Sequence, residues 1–209
     1  MPWMETERAA LVQTLREADP DAATMCEGWT VRHVLGHLVL REQRPYLVLP
    51  DMLARRPPGQ EPFLGRLVAG ARTPAGYQAL VDRFAGGPPA WSPVGWLGDT
   101  GNLIEYVVHH EDVRRGGAEP AEPRVLPPDM VRAVWARLLP TARLSYRTSP
   151  VGVVLVVPGG PRRVVHRGAD AVVVVGDPVE LALHALGRTH AEVDVHGRSA
   201  VVDRFLASR

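Results

Sequence analysis

The feature that most constrains this chain is a change of hydrophobic period near its middle. Up to Arg147 apolar residues recur every three or four positions, as they do along helices. From Val151 onward they come in β-branched runs of strand length, at 151–157 and 171–175. Two periods in series predict an α+β chain, a helical bundle followed by a small α/β domain. A length of 209 residues is enough for one sizeable core or two smaller ones. The stretch 119–128, with four prolines, is the best linker. The expected domains are therefore 1–118, helical and carrying the candidate site, and 119–209.

Local signals place the elements. A helix is expected over 5–18, with Leu11 and Leu15 inward and Asp19-Pro20 ending it. Thr30 is a good N-cap for a second helix from Val31, whose Val34, Leu35, Leu38 and Val39 share a face and which Pro45 ends or kinks. The proline- and arginine-rich residues 50–62 read as a long connection. Thr73-Pro74 starts another helix, which runs to Gly86-Gly87. Residues 86–101, with five glycines, three prolines and Trp91 and Trp96, read as a loop long enough to be functional. A helix over 102–115 stops at Gly116-Gly117, and one more covers 129–147. In the second half, Pro158-Gly159-Gly160-Pro161 joins two strands as a hairpin. A helix follows Asp177-Pro178, then a strand over 191–196 and a closing helix over 199–207.

Composition narrows the chemistry. All 24 basic residues are arginine. Without lysine there is no Schiff-base nucleophile, no pyridoxal-phosphate aldimine and no Walker-type phosphate-binding lysine. A net charge of +1 gives no field to draw in nucleic acid, and no apolar run is long enough to cross a membrane. Cys26 is the only cysteine, so neither an intrachain disulfide nor a thiolate metal cluster can form within one chain. With charges at Glu5, Glu7 and Arg8 and no apolar h-region, the first residues do not read as a signal peptide. A cytoplasmic protein, monomeric or homodimeric, is expected.

The informative segment runs from Asn102 to Arg115. Glu105 and His109 are four residues apart on one helical face, and Asp112 falls within about 60° of arc with them. Leu103, Ile104, Val107 and Val108 fill the neighbouring arc, so the polar set borders the core. A carboxylate and an imidazole so placed either share a divalent metal or form a solvated ion pair. His37, on the helix after Thr30, is either a structural histidine or a third donor from a facing helix, the usual construction of metal sites in bundles. Two histidines and one carboxylate leave coordination positions open, as catalytic sites do.

Three segments carry a resemblance. Glu27-Gly28-Trp29-Thr30 with His37-Leu38 resembles the GWT…HL motif of the mycothiol-dependent maleylpyruvate isomerase family, within the DinB-like metal-binding superfamily. Glu105 through Asp112 resembles its ExxxHHxD motif, and 176–188 resembles a G…L…LxGR segment of its C-terminal domain. The likeness is nearest to the family's actinobacterial metal-binding subgroup, and the arginine-for-lysine composition agrees with such a source. The resemblance implies a DinB-like bundle of four helices running up-down-down-up, and metal ligands at His37, Glu105 and His109. It also implies a divalent ion, usually zinc, and mycothiol or another low-molecular-weight thiol as co-substrate. The metal lowers the thiol pKa, and the thiolate adds to an electrophile, isomerising or conjugating it. An anionic ligand, Glu105, makes such a site less positive than an all-histidine one. The implied partners are thus a small-molecule thiol and an electrophile, whose identity the resemblance does not carry over. Two other readings stay open: a non-catalytic metal-containing ligand-binding module, and a two-histidine-one-carboxylate iron enzyme.

Residues around the site have candidate roles. His33 lies one turn before His37 and would orient it or line the pocket. Arg41, one turn after, reads as a surface residue or as the receiver of a substrate carboxylate. Asp112 would support a ligand histidine, and His110 points about 100° away from His109, toward packing or support. Trp91 and Trp96 either wall or cover the pocket or plug the end of the bundle. Cys26 reads as a small core residue or a redox-sensitive thiol. His190, Glu192, Asp194 and His196 alternate along the expected last strand, as a solvated face or a second metal site. Arg188 suits the end of a helix.

Overall fold

The computed structural model describes residues 2–117 and 121–209. Packing divides the chain into two units, 1–124 and 125–209. The expected boundary at 118/119 lies outside the described residues.

The first unit is built on four long helices, α1 (Trp3–Glu17), α2 (Val31–Gln43), α5 (Pro74–Ala85) and α7 (Gly98–Arg115). Each follows the apolar spacing seen in the sequence. Leu11 and Leu15 from α1, Val34, Leu35 and Leu38 from α2, Val81 and Phe84 from α5, and Leu103, Tyr106 and Val107 from α7 are all fully buried. Contacts between the helices fix their directions. Met4 N donates to Asp99 Oδ1 at 2.8 Å, and Thr14 Oγ1 meets His110 Nε2 at 2.8 Å, so α1 and α7 run parallel. Arg41 meets Asn102 while His37 faces Glu105 and His109, so α2 runs against α7. Tyr77 donates to Leu15 O at 2.7 Å, and Arg8 lies over the Phe84 ring, so α5 runs against α1. The bundle is therefore up-down-down-up.

A second set of polar side chains is buried inside it. Arg8 Nη2 donates to Glu42 Oε1 and to the Tyr106 hydroxyl, and that hydroxyl donates to Glu42 Oε1 at 2.6 Å. The guanidinium also stacks over the rings of Phe84 and Tyr106, 5.2 and 5.1 Å from their centroids. Three helices are thus tied at one level by a paired charge. Loss of one partner there would strand a buried polar group.

The proline-rich connection holds more structure than its composition suggests. A 3-10 turn (Pro45–Leu47), α3 (Val48–Ala54) and α4 (Leu64–Gly70) interrupt it. Pro50 sits in the first turn of α3, where a missing backbone N–H costs nothing. Asp51 accepts from the backbone of Phe63 and Leu64 at 3.0 and 2.8 Å, and so starts α4. The glycine-rich loop is also shorter than expected. It contains α6 (Pro93–Trp96), and α7 begins at Gly98 rather than Asn102. Asp99, in that added first turn, accepts the backbone N–H groups of Trp3 and Met4 and joins the start of α7 to that of α1.

The second unit carries α8 (Pro128–Ser145), β1 (Gly152–Val156), β2 (Arg162–His166), β3 (Ala171–Val175), α9 (Pro178–Ala185), β4 (Asp194–His196) and α10 (Ser199–Leu206). Strand order is β2-β1-β3-β4. The β1–β2 pair is the expected antiparallel hairpin, β1 and β3 are parallel, and β4 pairs antiparallel with β3. Register sets Val153 opposite Val172 and Leu155 opposite Val174, all fully buried on one face. The last strand is shorter than the 191–196 expected, so His190 and Glu192 precede it and only Asp194 and His196 alternate on it. Among the described residues these four do not gather as metal donors. No described helix is long and apolar enough to cross a membrane.

Candidate metal centre

The antiparallel α2 and α7 bring His37, Glu105 and His109 together, with one donor atom from each within 4.8 Å of the others. Glu105 Oε2 lies 3.6 Å from His37 Nε2 and 3.7 Å from His109 Nε2. One carboxylate oxygen thus faces both imidazole nitrogens. The two rings meet edge-on with centroids 5.1 Å apart. His109 is almost wholly buried, His37 is 20% exposed and Glu105 is 33% exposed, so the set opens to solvent on the carboxylate side.

Neighbouring groups prepare these donors. Asp112 is fully buried, and its Oδ2 lies 2.8 Å from His109 Nδ1. That contact keeps a proton on Nδ1, so Nε2 is the nitrogen turned toward Glu105. Asp112 is itself anchored by its main chain, whose carbonyl accepts from Met25 N at 3.1 Å. Gly116 permits this approach, since a Cβ there would stand 2.1 Å from Thr24 Cα. Burial, opposed by the Glu105 contact, keeps His37 below the usual imidazole pKa and so neutral. Burial alone would raise the Glu105 carboxyl. The contact with His37 and the charges of His109 and Arg41 outweigh it and hold the group well below the usual carboxylate range. Two imidazoles and one carboxylate, brought together from two helices with the carboxylate partly exposed, can hold a divalent ion.

Other expected residues fall at varying distances from this set. Trp29 stands against His37, with ring centroids 5.4 Å apart, and stacks on His33 at 6.4 Å. His33 Nδ1 accepts from Thr30 N at 3.2 Å and meets Thr30 Oγ1 at 2.8 Å, so it caps α2 and reaches the site only through Trp29. Arg41 Nε lies 3.6 Å from Glu105 Oε2. His110 faces α1, between Glu7 Oε1 and Thr14 Oγ1 at 2.8 Å each, and Arg124 reaches back to the same Glu7 at 2.6 Å. It joins helices and lies outside the donor set. Trp91 and Trp96 are 58% and 73% exposed. Trp96 donates to Ala90 O at 2.9 Å and borders a groove of about 660 Å³ lined by α1, residues 85–90 and Gly95, which contains none of the three donors. Cys26, half-buried, forms no disulfide and lies in the turn before α2, where its carbonyl accepts from Trp29 N at 2.9 Å. Sequence reasoning missed Asn102, fully buried and bonded to Arg41, and the Arg8–Glu42–Tyr106 set behind the site.

Residues 4–92 match the family model described as the mycothiol maleylpyruvate isomerase N-terminal domain. That stretch includes α2 and His37 and stops short of α7. No curated protein matches the chain. Among solved structures, the crystal structures of the mycothiol-dependent maleylpyruvate isomerase and of its histidine-to-alanine mutant superpose with TM-scores of 0.56 and 0.59. Each is 18% identical, and each match covers 92% of this chain and 89% of that chain. At this identity the likeness is one of fold, and it bears out a helical bundle followed by a small α/β part.

Proposed function

We propose, from the premise that residues 4–92 belong to the mycothiol maleylpyruvate isomerase N-terminal domain family, that this chain is a divalent-metal protein working as a mycothiol-dependent isomerase or S-transferase. His37, Glu105 and His109 hold the ion, which is zinc in this reading. The bound ion supplies acidity to a thiol, making a thiolate available at neutral pH. The observation that carries the reading is the single Glu105 oxygen facing two imidazole Nε2 atoms, at 3.6 and 3.7 Å.

The chain's own residues have defined tasks here. Asp112 keeps the His109 proton on Nδ1, Trp29 walls the His37 side, and the exposed flank of Glu105 leaves an approach for a small molecule. The co-substrate is a low-molecular-weight thiol and the acceptor is an electrophile that adds thiolate. The helical metal-binding domain and the small α/β domain form one cytoplasmic enzyme in this proposal. Titrating mycothiol into metal-loaded protein by calorimetry tests it. Binding that disappears after chelation supports the reading, and binding indifferent to chelation contradicts it.

A further inference from the structure

The structure gives Arg41 a task other than receiving a substrate carboxylate. A guanidinium grips a carboxylate with two parallel N–H groups. Here each terminal nitrogen is already tied to the start of α7 by one hydrogen bond. Nη1 donates to Asn102 Oδ1 at 2.8 Å, and Nη2 donates to the Gly101 carbonyl. Asn102 is fully buried and held in turn, since its Nδ2 donates to Val94 O at 2.8 Å. The Arg41 side chain is only 15% exposed. What remains is its Nε edge, 3.6 Å from the Glu105 oxygen that both histidines face.

We propose that Arg41 is a positioning residue for the metal centre. It fixes Glu105 from α2 and offsets its negative charge, so that the open face of an ion held by His37, Glu105 and His109 favours anionic ligands, thiolates among them. The inference rests on the metal reading given above. It answers a difficulty in that reading, because a carboxylate ligand makes the ion less attractive to an anion. A fixed cation against that carboxylate restores the attraction, and guanidinium keeps its charge at any working pH. The other charged groups nearby do not substitute for it. Asp112 lies behind the His109 ring at Nδ1, and Glu42, next along α2, is paired with Arg8 inside the bundle. The buried Asn102 makes the placement rigid, since the fork of Arg41 is locked one turn before Glu105 on the same helix.

The test separates charge from architecture by using an anionic and a neutral ligand on the cobalt(II)-loaded full chain. Azide and imidazole are titrated at fixed pH and followed by the visible cobalt absorption. In Arg41→Gln the expected result is retained cobalt, azide affinity about tenfold weaker, as removal of a unit charge some ångströms from the ion implies, and imidazole affinity unchanged. Arg41→Lys keeps the charge without the fork and should hold most of the azide preference, which carries the test if Arg41→Gln does not fold. A general structural role would weaken both ligands together. Unchanged azide affinity in Arg41→Gln, parallel loss of both ligands, a folded Arg41→Gln that takes up no cobalt, or loss of the azide preference in Arg41→Lys would each overturn the proposal. A parent protein that takes up no cobalt, or a His109→Ala variant that takes up as much, defeats the underlying metal reading instead, and that is visible before any ligand is added.

Discussion

Asp112→Asn is the most informative single change at the site, because it alters charge and hydrogen bonding with almost no change of shape. Asp112 is fully buried, and its Oδ2 lies 2.8 Å from His109 Nδ1. As a carboxylate it can only accept, so Nδ1 carries a proton and Nε2 is the nitrogen left to a metal. An asparagine can instead turn its amide N–H toward Nδ1, moving the ring proton to Nε2, where it blocks metal binding. Removing a partner of this kind from a ligand histidine costs about 10–100-fold in metal affinity, which is about 1.4–2.8 kcal/mol. The backbone carbonyl that accepts from Met25 N is untouched, so the turn before α2 should remain in place. The assay is competition for zinc with a chromophoric chelator, alongside thermal unfolding of both proteins without metal. A variant that folds and holds zinc within about twofold of the parent, well short of the loss expected for such a partner, would refute the argument that Asp112 sets the His109 tautomer.

Two further expectations concern the rest of the chain. Tyr106→Phe keeps the ring packed against Phe84 but leaves Glu42 and Arg8 without the hydroxyl between them. It should lower stability by about 1–3 kcal/mol in urea unfolding, and equal stability would mean the network contributes nothing. In the second unit, His184 Nδ1 meets the buried Tyr146 hydroxyl at 2.6 Å, and burial, with Arg209 adding to it, pushes its pKa down to about 4 from 6.5. Between those values the unfolded chain binds a proton that the folded chain refuses. Stability from this residue is therefore full above pH 6.5 and falls, by up to about 3 kcal/mol, as pH drops toward 4. His184→Phe should flatten that dependence in unfolding measurements between pH 4 and 7.

The bundle was legible because its signals are local. Apolar spacing named the inward residues of α1 and α2, Thr73-Pro74 marked the start of α5, and the β-branched runs gave the sheet. Errors arose where distant groups supply the missing cap. Pro50 reads as a breaker until Asp51 is seen to begin α4, and Gly98 reads as loop until Asp99 is seen to hold the start of α1. The same distinction runs through the site. Glu105, His109 and Asp112 share a face by arithmetic on one helix. The arrival of His37 depends on the antiparallel pairing of α2 with α7, which the motif resemblance supplied and spacing could not. The engagement of Arg41 with Asn102 depends on the same pairing and had no local signal. Arg8 had one, three residues before Leu11 on the apolar side of α1, but only the folded bundle shows Glu42 and Tyr106 meeting it. The side on which Trp96 lies had no local signal either, since a loop just before a site helix can leave on either side of it, and Trp96 leaves toward α1.

Metal content measured on the purified full chain tests the central claim most directly, with elemental analysis of the parent and of His109→Ala prepared identically. The account predicts about one divalent ion per parent chain, as a single three-donor site requires, and a variant that is folded but nearly empty. Equal metal in both proteins, or none in the parent even after incubation with zinc, would contradict it.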